Sequence, residues 1–306
     1  MSKIKGLDHG YLYTKDNEKR IFRSAFTKSG LAMGATSFIT INGVDHSVGT
    51  GNRTISFDKT DSDMNEVGTL TMLAMDGDND YYLVVGLPIS QYQSQKDKFK
   101  KMIMGYNDRE VIYRGKKMDI KINDVYVLPQ GVGALLSLDE LKGNIVIFDF
   151  GGLTIDIASI EIVYGNPVLK KYDTWTEGIQ KIYSRVVNAV NEKYNLTLDV
   201  SEAENILVNG LTLYGEKVST DFLEPVLRQY LDPILTNFKV NFTDINSQVY
   251  LCGGSAIIFE SLFKTHFPHA RLMYNSQFAN AIGYHKCGLQ KYGHLCDIKP
   301  QPICRR

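Results

Sequence analysis

Apolar residues recur along this chain in three rhythms. The run from Ile145 to Phe150 is apolar almost throughout, the signature of a strand buried on both faces. Tyr81-Tyr82-Leu83-Val84-Val85, Val125-Tyr126-Val127-Leu128 and Val249-Tyr250-Leu251-Cys252 read as further strands. A helical rhythm places Met64, Val67, Leu70 and Leu73 on one stripe of residues 62–75. It recurs in residues 176–194, where Ile179, Ile182, Val186, Val187 and Val190 share a face. Residues 90–104 read as a Lys-rich turn and helix whose Lys96, Lys98, Lys100 and Lys101 form a solvated face, 201–245 as mainly helical, and Phe278 to Tyr284 as a small-residue helix. The third rhythm is extended and turn-rich. Residues 21–86 carry Thr, Ser, Gly and β-branched residues with turn signals at Ile41-Asn42-Gly43 and Asp76-Gly77-Asp78-Asn79.

Two hairpins stand out because they look like copies. Residues 3–8 and 11–15 flank Leu7-Asp8-His9-Gly10-Tyr11-Leu12-Tyr13-Thr14-Lys15, and the run to Phe150 leads through Asp149-Phe150-Gly151-Gly152-Leu153-Thr154-Ile155-Asp156 into an extended partner at 155–163, with the next turn at Gly165-Asn166-Pro167. Each puts an Asp at the end of an apolar run, then a Gly-containing turn, then a hydroxyl. Such a turn can hold a phosphate chain on its amides while the Asp faces a metal ion.

Composition narrows the classes. Lys+Arg and Asp+Glu both number 34 in 306 residues, so the balance lacks the basic excess that phosphate-backbone binding needs. No apolar run is long enough to span a bilayer and the N-terminus has no signal-peptide core, which reads as a cytoplasmic chain with no membrane partner. Cys252, Cys287, Cys296 and Cys304 show no CxxC spacing, and the last three, near His285 and His294, read as reduced thiols rather than a zinc knot. No Gly-x₄-Gly-Lys-Ser/Thr loop and no Gly-x-Gly-x-x-Gly after a strand occur, against a P-loop or Rossmann site.

Five motifs follow in order: the first hairpin, Pro129-Gln130-Gly131-Val132-Gly133-Ala134, the second hairpin, Gly253-Gly254-Ser255-Ala256, and Ala279-Asn280-Ala281-Ile282-Gly283. This order resembles phosphate 1, connect 1, phosphate 2, adenosine and connect 2 of the actin/Hsp70/sugar-kinase ATPase superfamily, over Leu7 to Tyr284. Val84-Val85-Gly86-Leu87-Pro88-Ile89-Ser90-Gln91-Tyr92 is similar to a segment of the ParM-type plasmid-segregation actins, as is the Asp-x-Gly-Tyr…Thr-Lys opening. The resemblance implies an α/β actin-like ATPase fold of two similar, ribonuclease H-like lobes with a nucleotide cleft between them. Lobe I would span 1–145, with a small outer subdomain at about 30–95. Lobe II would span 146–306, with a helical outer subdomain at about 180–245 and a C-terminal helix at about 277–306 packing back on lobe I. With no Ser/Pro linker the lobes would be interwoven. Trp175 would pack between them or anchor at the surface.

The site residues follow from this pattern. Gly10, Gly151 and Gly152, with Tyr11 and Leu153 in the same turns, would bring amides close to phosphate oxygens. Lys15 would neutralise phosphate charge, and Thr14 and Thr154 would donate hydroxyl hydrogen bonds. Asp8 and Asp149 would hold Mg²⁺ largely through water, because Mg²⁺ dehydrates reluctantly. Gln130 would orient the attacking water, with Asp156 the second candidate for that role. The resemblance places Glu at this position in many ParM proteins and Gln in actin, so Gln130 implies slower or more assembly-dependent hydrolysis. Gly253, Gly254 and Ser255 would lie along the nucleotide, Gly178 on its ribose side, and Glu202 or Glu204 near ribose or base. His9 is given no role, since it points to the other face of the strand from Asp8.

The expected function is a polymerising ATPase using ATP or GTP with Mg²⁺. Its partners would be other copies of itself in a helical filament and an adaptor that binds plasmid DNA, leaving no direct nucleic-acid contact. The alternatives are a small-molecule kinase of the same superfamily and a non-polymerising nucleotide-binding scaffold. An Hsp70-like module would lack its peptide-binding domain.

Overall fold

The computed structural model describes residues 2–28, 32–51, 58–77, 79–242 and 246–296. The tail residues Cys304, Arg305 and Arg306 lie outside them. The chain divides into two compact units, Met1–Leu141 with Phe278–Arg306, and Lys142–Gln277.

The first unit opens with β1 (Lys3–His9), β2 (Tyr13–Asp16) and β3 (Ile21–Arg23). Next come β4 (Phe26–Thr27), β5 (Ser37–Ile41), β6 (Val44–Val48), α1 (Asp63–Asp76), β7 (Asn79–Leu87) and α2 (Ile89–Met104). It continues with β8 (Val111–Tyr113), β9 (Lys116–Met118), β10 (Ile120–Pro129) and α3 (Val132–Ser137). The second unit holds β11 (Asn144–Phe150), β12 (Ile155–Val163), β13 (Asn166–Trp175), α4 (Gln180–Tyr194) and α5 (Ala203–Asn209). Its remainder is β14 (Leu211–Leu213), β15 (Glu216–Val218), α6 (Glu224–Phe242), β16 (Gln248–Cys252), α7 (Ala256–His266) and β17 (Arg271–Leu272). Helix α8 (Ala279–Tyr292) belongs to the first unit.

The two main sheets are built alike. One runs β10-β7-β1-β2-β3 and the other β17-β16-β11-β12-β13, each with a central strand parallel to one neighbour and antiparallel to the strand that follows its glycine turn. A smaller sheet, β4-β6-β5-β8-β9, completes the first unit. The central strands β1 and β11 are buried along nearly their whole length, as their apolar runs require. In the first unit Leu7, Val67, Leu70, Leu73, Leu83, Val85 and Phe99 form the core. In the second an aromatic cluster does so, with Phe148 stacked on Phe150 at 4.7 Å and met edge-on by Phe238 and Phe263. Trp175 is half-buried and packs edge-on against Phe148 and Phe242 inside the second unit.

The segment 201–245 is mainly helical, as expected, through α5 and α6. Between them β14 and β15 form a hairpin around Tyr214 (φ 51°) and Gly215 (φ 88°), a turn with two left-handed residues that matches strand twist. Two local expectations are corrected. The turn after β12 is Tyr164-Gly165, and Asn166-Pro167 already belongs to β13. Helix α4 begins at Gln180 rather than 176, because the backbone before it is engaged with the second hairpin.

Candidate functional site

In the first hairpin Asp8 faces Lys15 and His9 faces Thr14. Directly opposed residues share a face, and consecutive residues alternate. Asp8 and Lys15 are therefore together, and their ion pair closes at 2.9 Å. Gln130, at the end of β10, joins them by donating its Nε2–H to Asp8 Oδ1 at 3.0 Å. All three side chains are buried. Burial pushes the Asp8 carboxyl up, but the Lys15 charge and hydrogen bond, with Gln130 and Lys59, outweigh it and hold the group below the usual carboxylate range.

Gln130 is fixed by its backbone as well. Its N–H donates to the Leu87 carbonyl at 2.7 Å, and the loop after it is capped by Asn280 of α8, whose Oδ1 accepts from the N–H groups of Gly131 (3.1 Å) and Ala134 (2.9 Å). Helix α3 thus receives its cap from a distant residue. The fifth position of that α8 motif, Gly283, lies so close to the Gly133 carbonyl that a Cβ would stand 1.7 Å from it. The connect 1 and connect 2 motifs are one packing unit.

The two hairpin turns are equivalent in geometry. A Cβ on Gly10 would lie 2.6 Å from the Tyr13 carbonyl, and one on Gly151 would lie 2.7 Å from that of Thr154. In the second turn three consecutive amides, of Gly178, Ile179 and Gln180, donate to the carbonyls of Leu153 (2.9 Å), Gly151 (3.2 Å) and Gly152 (3.2 Å). In a trans peptide the N–H points opposite to its carbonyl. The amides of Gly152, Leu153 and Thr154 are therefore directed away from α4, the geometry of an anion-binding nest. The first turn reaches the same result with other groups. Lys59 Nζ donates to the His9 carbonyl (2.5 Å), Ser24 Oγ to that of Gly10 (2.7 Å) and the Ser24 N–H to that of Leu12 (2.8 Å). The amides that follow, including those of Tyr11 and Tyr13, face the other way.

Asp149 and Asp156 oppose each other across β11 and β12. Like charges placed so are unfavourable unless something relieves them. Thr154 and Thr174 hydroxyls donate to Asp156 at 3.3 and 2.6 Å, and Gly253, with φ 90°, stands where a Cβ would fall 2.4 Å from Asp149 Oδ1. An all-oxygen donor set with facing carboxylates suits a hard divalent cation. Among the described residues no group of three or more His, Cys, Asp or Glu could hold a metal, so Mg²⁺ would complete its shell with phosphate oxygens and water.

Two expected ligands stand elsewhere. The Thr14 hydroxyl is bonded to Ser24 Oγ at 3.1 Å on the face opposite Asp8, so it does not join the Asp8–Lys15 cluster. The Ser255 hydroxyl donates to the Phe150 carbonyl at 3.2 Å and so ties the Gly253-Gly254 turn to β11. Gly178 braces the second turn, with 2.2 Å between a Cβ and the Gly152 carbonyl. Glu202 is exposed just before α5 and Glu204 is half-buried in its first turn. Lys59, Ser24, Thr174 and the target of Asn280 are absent from the sequence reading. Only Asn280 carried a signal, its place in the fifth motif.

His9 lies beneath the first turn, its Nε2 2.8 Å from Thr69 Oγ1. Burial, with the Lys59 charge, pushes its pKa down to about 4. The unfolded chain then takes up the proton first as pH falls, so stability is full above about pH 6.5 and is lost down to about 4. Each pH unit in that window costs the folded state about 1.4 kcal/mol. Between pH 7 and 5 the protein is expected to lose about 2 kcal/mol more unfolding free energy than His9→Gln, measured by urea titration. Equal losses would place the pH response in other groups.

Duplicated five-stranded sheets, each presenting an acid and a glycine turn at its central hairpin, define the actin-type ATPase fold. The sequence matches the family model for the actin like proteins N-terminal domain over residues 6–133 and that for the C-terminal domain of the archaeal MreB-like actin homologue over 147–265. The chain belongs to the actin-like proteins. Its structure is similar to a ParM from a 15-stranded Clostridium botulinum filament (TM-score 0.76, 20% identity, 95% of this chain and 100% of that one). It is also similar to an archaeal actin homolog in complex with ADP (0.78, 19%, 94% and 99%) and to Bacillus thuringiensis ParM with AMPPNP (0.67, 16%, 94% and 98%). A search of curated proteins finds no match. Among the described residues no helix is long and apolar enough to cross a membrane.

Proposed function

We propose that this chain is a nucleotide-dependent, polymerising ATPase whose dynamic filaments segregate plasmid DNA in the cytoplasm through an adaptor protein. The observation that carries the ATPase reading is the matched pair of turns whose carbonyls are tied back and whose amides face away, one beside Asp8, Lys15 and Gln130 and one beside Asp149 and Asp156. Each turn is a phosphate-binding element suited to ATP or GTP. Lys15 balances phosphate charge, the turn amides of Tyr11, Gly152, Leu153 and Thr154 bind oxygens, and Asp8 and Asp149 hold Mg²⁺ through its waters. The bound metal would offset developing phosphate charge. Gln130, held on Asp8, orients the attacking water, and Asp156, held by two threonines, keeps the acidic side of the site in place.

Filament formation is supported by the likeness to ParM and Alp12 filament structures. Head-to-tail contacts that do not close give helical polymers. An adaptor as the DNA contact agrees with the zero net charge. Right-angle light scattering after addition of Mg-ATP tests the reading. A rise that decays as nucleotide is consumed is expected. A flat trace over a wide concentration range, with nucleotide bound, would overturn polymerisation and favour a kinase or scaffold.

A further inference from the structure

The outermost strand of the first unit's main sheet, β10, lies in a charged groove that the nucleotide chemistry does not use. The groove encloses about 400 Å³. Its floor is β10 from Asp124 to Val127. One wall is the α2 face formed by Tyr92, Lys96 and Lys100, spaced at i, i+4 and i+8, and Lys291 of α8 contributes from elsewhere on the rim. Among the described residues no strand pairs with the outer edge of β10.

That edge is blunted over its first half only. Asn107 takes both backbone groups of Ile122, accepting from its N–H at 2.7 Å and donating to its carbonyl at 2.9 Å. A register irregularity follows at Ile122/Asp124, and the Asp124 side chain accepts the Val125 N–H at 2.8 Å. These are devices by which proteins close a sheet edge. Beyond Val125 the direction of the backbone groups can be read from the inward bond of Gln130 to Leu87. Alternation along the strand puts Leu128 and Tyr126 on that inner side and turns the N–H and carbonyl of Val127 toward the groove.

The charge around this stretch is basic. Lys100 pairs with Asp124 at 2.6 Å, and Asp124 also accepts the Tyr292 hydroxyl at 2.9 Å, so that acid is committed within the protein. Lys96 lies 5.4 Å from the Tyr92 ring and Lys291 4.7 Å from the Tyr126 ring, so aromatic faces rather than carboxylates hold both ammonium groups in place. Asp97 is the remaining acid of the lining. The lining sets Lys96, Lys100 and Lys291 against Asp97 and Asp124, a local basic excess on a chain whose net charge is zero. The chain's own last ten residues, with Lys299, Arg305 and Arg306 against Asp297, have the wrong sign to fill it.

We propose that this groove receives an extended acidic segment of a protein partner, which adds as a strand beside Val125–Val127 and sets its carboxylates against Lys96 and Lys291. Strand addition takes affinity from backbone hydrogen bonds and specificity from the flanking side chains. A nucleic-acid backbone would use the lysines but not the strand edge. The proposal does not depend on nucleotide hydrolysis.

The test uses the full chain and a fluorescein-labelled decapeptide of alternating Glu and Val, read by fluorescence anisotropy and by amide hydrogen exchange. Saturable binding is expected, weakened at least tenfold by Lys96→Glu with Lys291→Glu, together with slowed exchange at Val127. Circular dichroism of the double variant verifies that its fold is retained. Binding no tighter than that of an alternating Ser and Val peptide would overturn the proposal. So would binding without protection at Val127, preference for a 20-base-pair duplex, or capture of a peptide of residues 297–306 in place of the acidic one.

Discussion

Gln130→Ala is expected to slow nucleotide hydrolysis about 10²–10³-fold, the loss seen when one preorganised polar group is removed from a reacting centre. Nucleotide affinity should change by no more than about twofold, because in the proposed site the phosphate is held by backbone amides and Lys15, which the substitution leaves in place. The argument rests on how firmly the side chain is aimed. Its backbone is tied to Leu87, the helix after it is capped by Asn280, and its amide is bonded to Asp8. Few conformations are open to it, so its amide is set before nucleotide binds rather than ordered afterwards. Single-turnover hydrolysis at saturating Mg-ATP is the measurement, with affinity from a fluorescent nucleotide. An unchanged rate would reduce Gln130 to a packing residue at the start of α3. A parallel loss of affinity would mean that its bond to Asp8 supports binding rather than water orientation.

The parts of this site that repeat were legible in the sequence, and the parts that arrive from elsewhere were not. Asp-x-Gly followed by an extended run marks a hairpin at both Asp8 and Asp149, and the apolar runs before them mark central strands. What bends the carbonyls away is different in the two halves: the turn leading into α4 in one, Ser24 and Lys59 in the other. Neither Ser24 nor Lys59 has a local pattern, since each acts through a fold contact rather than a spacing. Thr14 stands apart from Asp8 for a reason of register. The turn occupies Gly10-Tyr11-Leu12, so Thr14 falls opposite His9 and on the other face. Strand β13 escaped because it is an edge strand exposed along most of its length, held by its ladder to β12, and nothing requires it to alternate. The hairpin β14–β15 was hidden by length, since three residues per strand give too little rhythm to set against the helices on either side.

Lys5→Met is expected to lower the unfolding free energy by about 3–5 kcal/mol, the cost of removing one partner from a buried ionic group. The Lys5 side chain is 2% exposed and reaches Asp76 at 3.0 Å, Asp16 at 3.8 Å and Glu18 at closer range, and Asp16 itself is fully buried. Met fills the space of the lysine stem but leaves the carboxylates of Asp16 and Asp76 inside the protein. Arg20 stays to pair with both, at 2.6 and 3.1 Å, which sets the expectation at the lower end of the range. Burial raises the Asp76 carboxyl, but Lys3, Lys5 and Arg20 hold it below its ordinary value. Stability linked to it is present above the ordinary carboxylate pKa and is lost as pH falls through the lower folded value. Urea titration of Lys5→Met, Asp76→Asn and the double variant separates the pair from its surroundings, and the double variant should recover part of the loss. A cost below about 1 kcal/mol would mean that Arg20 alone neutralises the cluster. Lys5 and Asp8 share strand β1, so the same substitution should also speed amide exchange along β1 and β2 before the rest of the unit opens. The ionic cluster at one end of the strand then holds the register that brings Asp8 to Lys15 at the other.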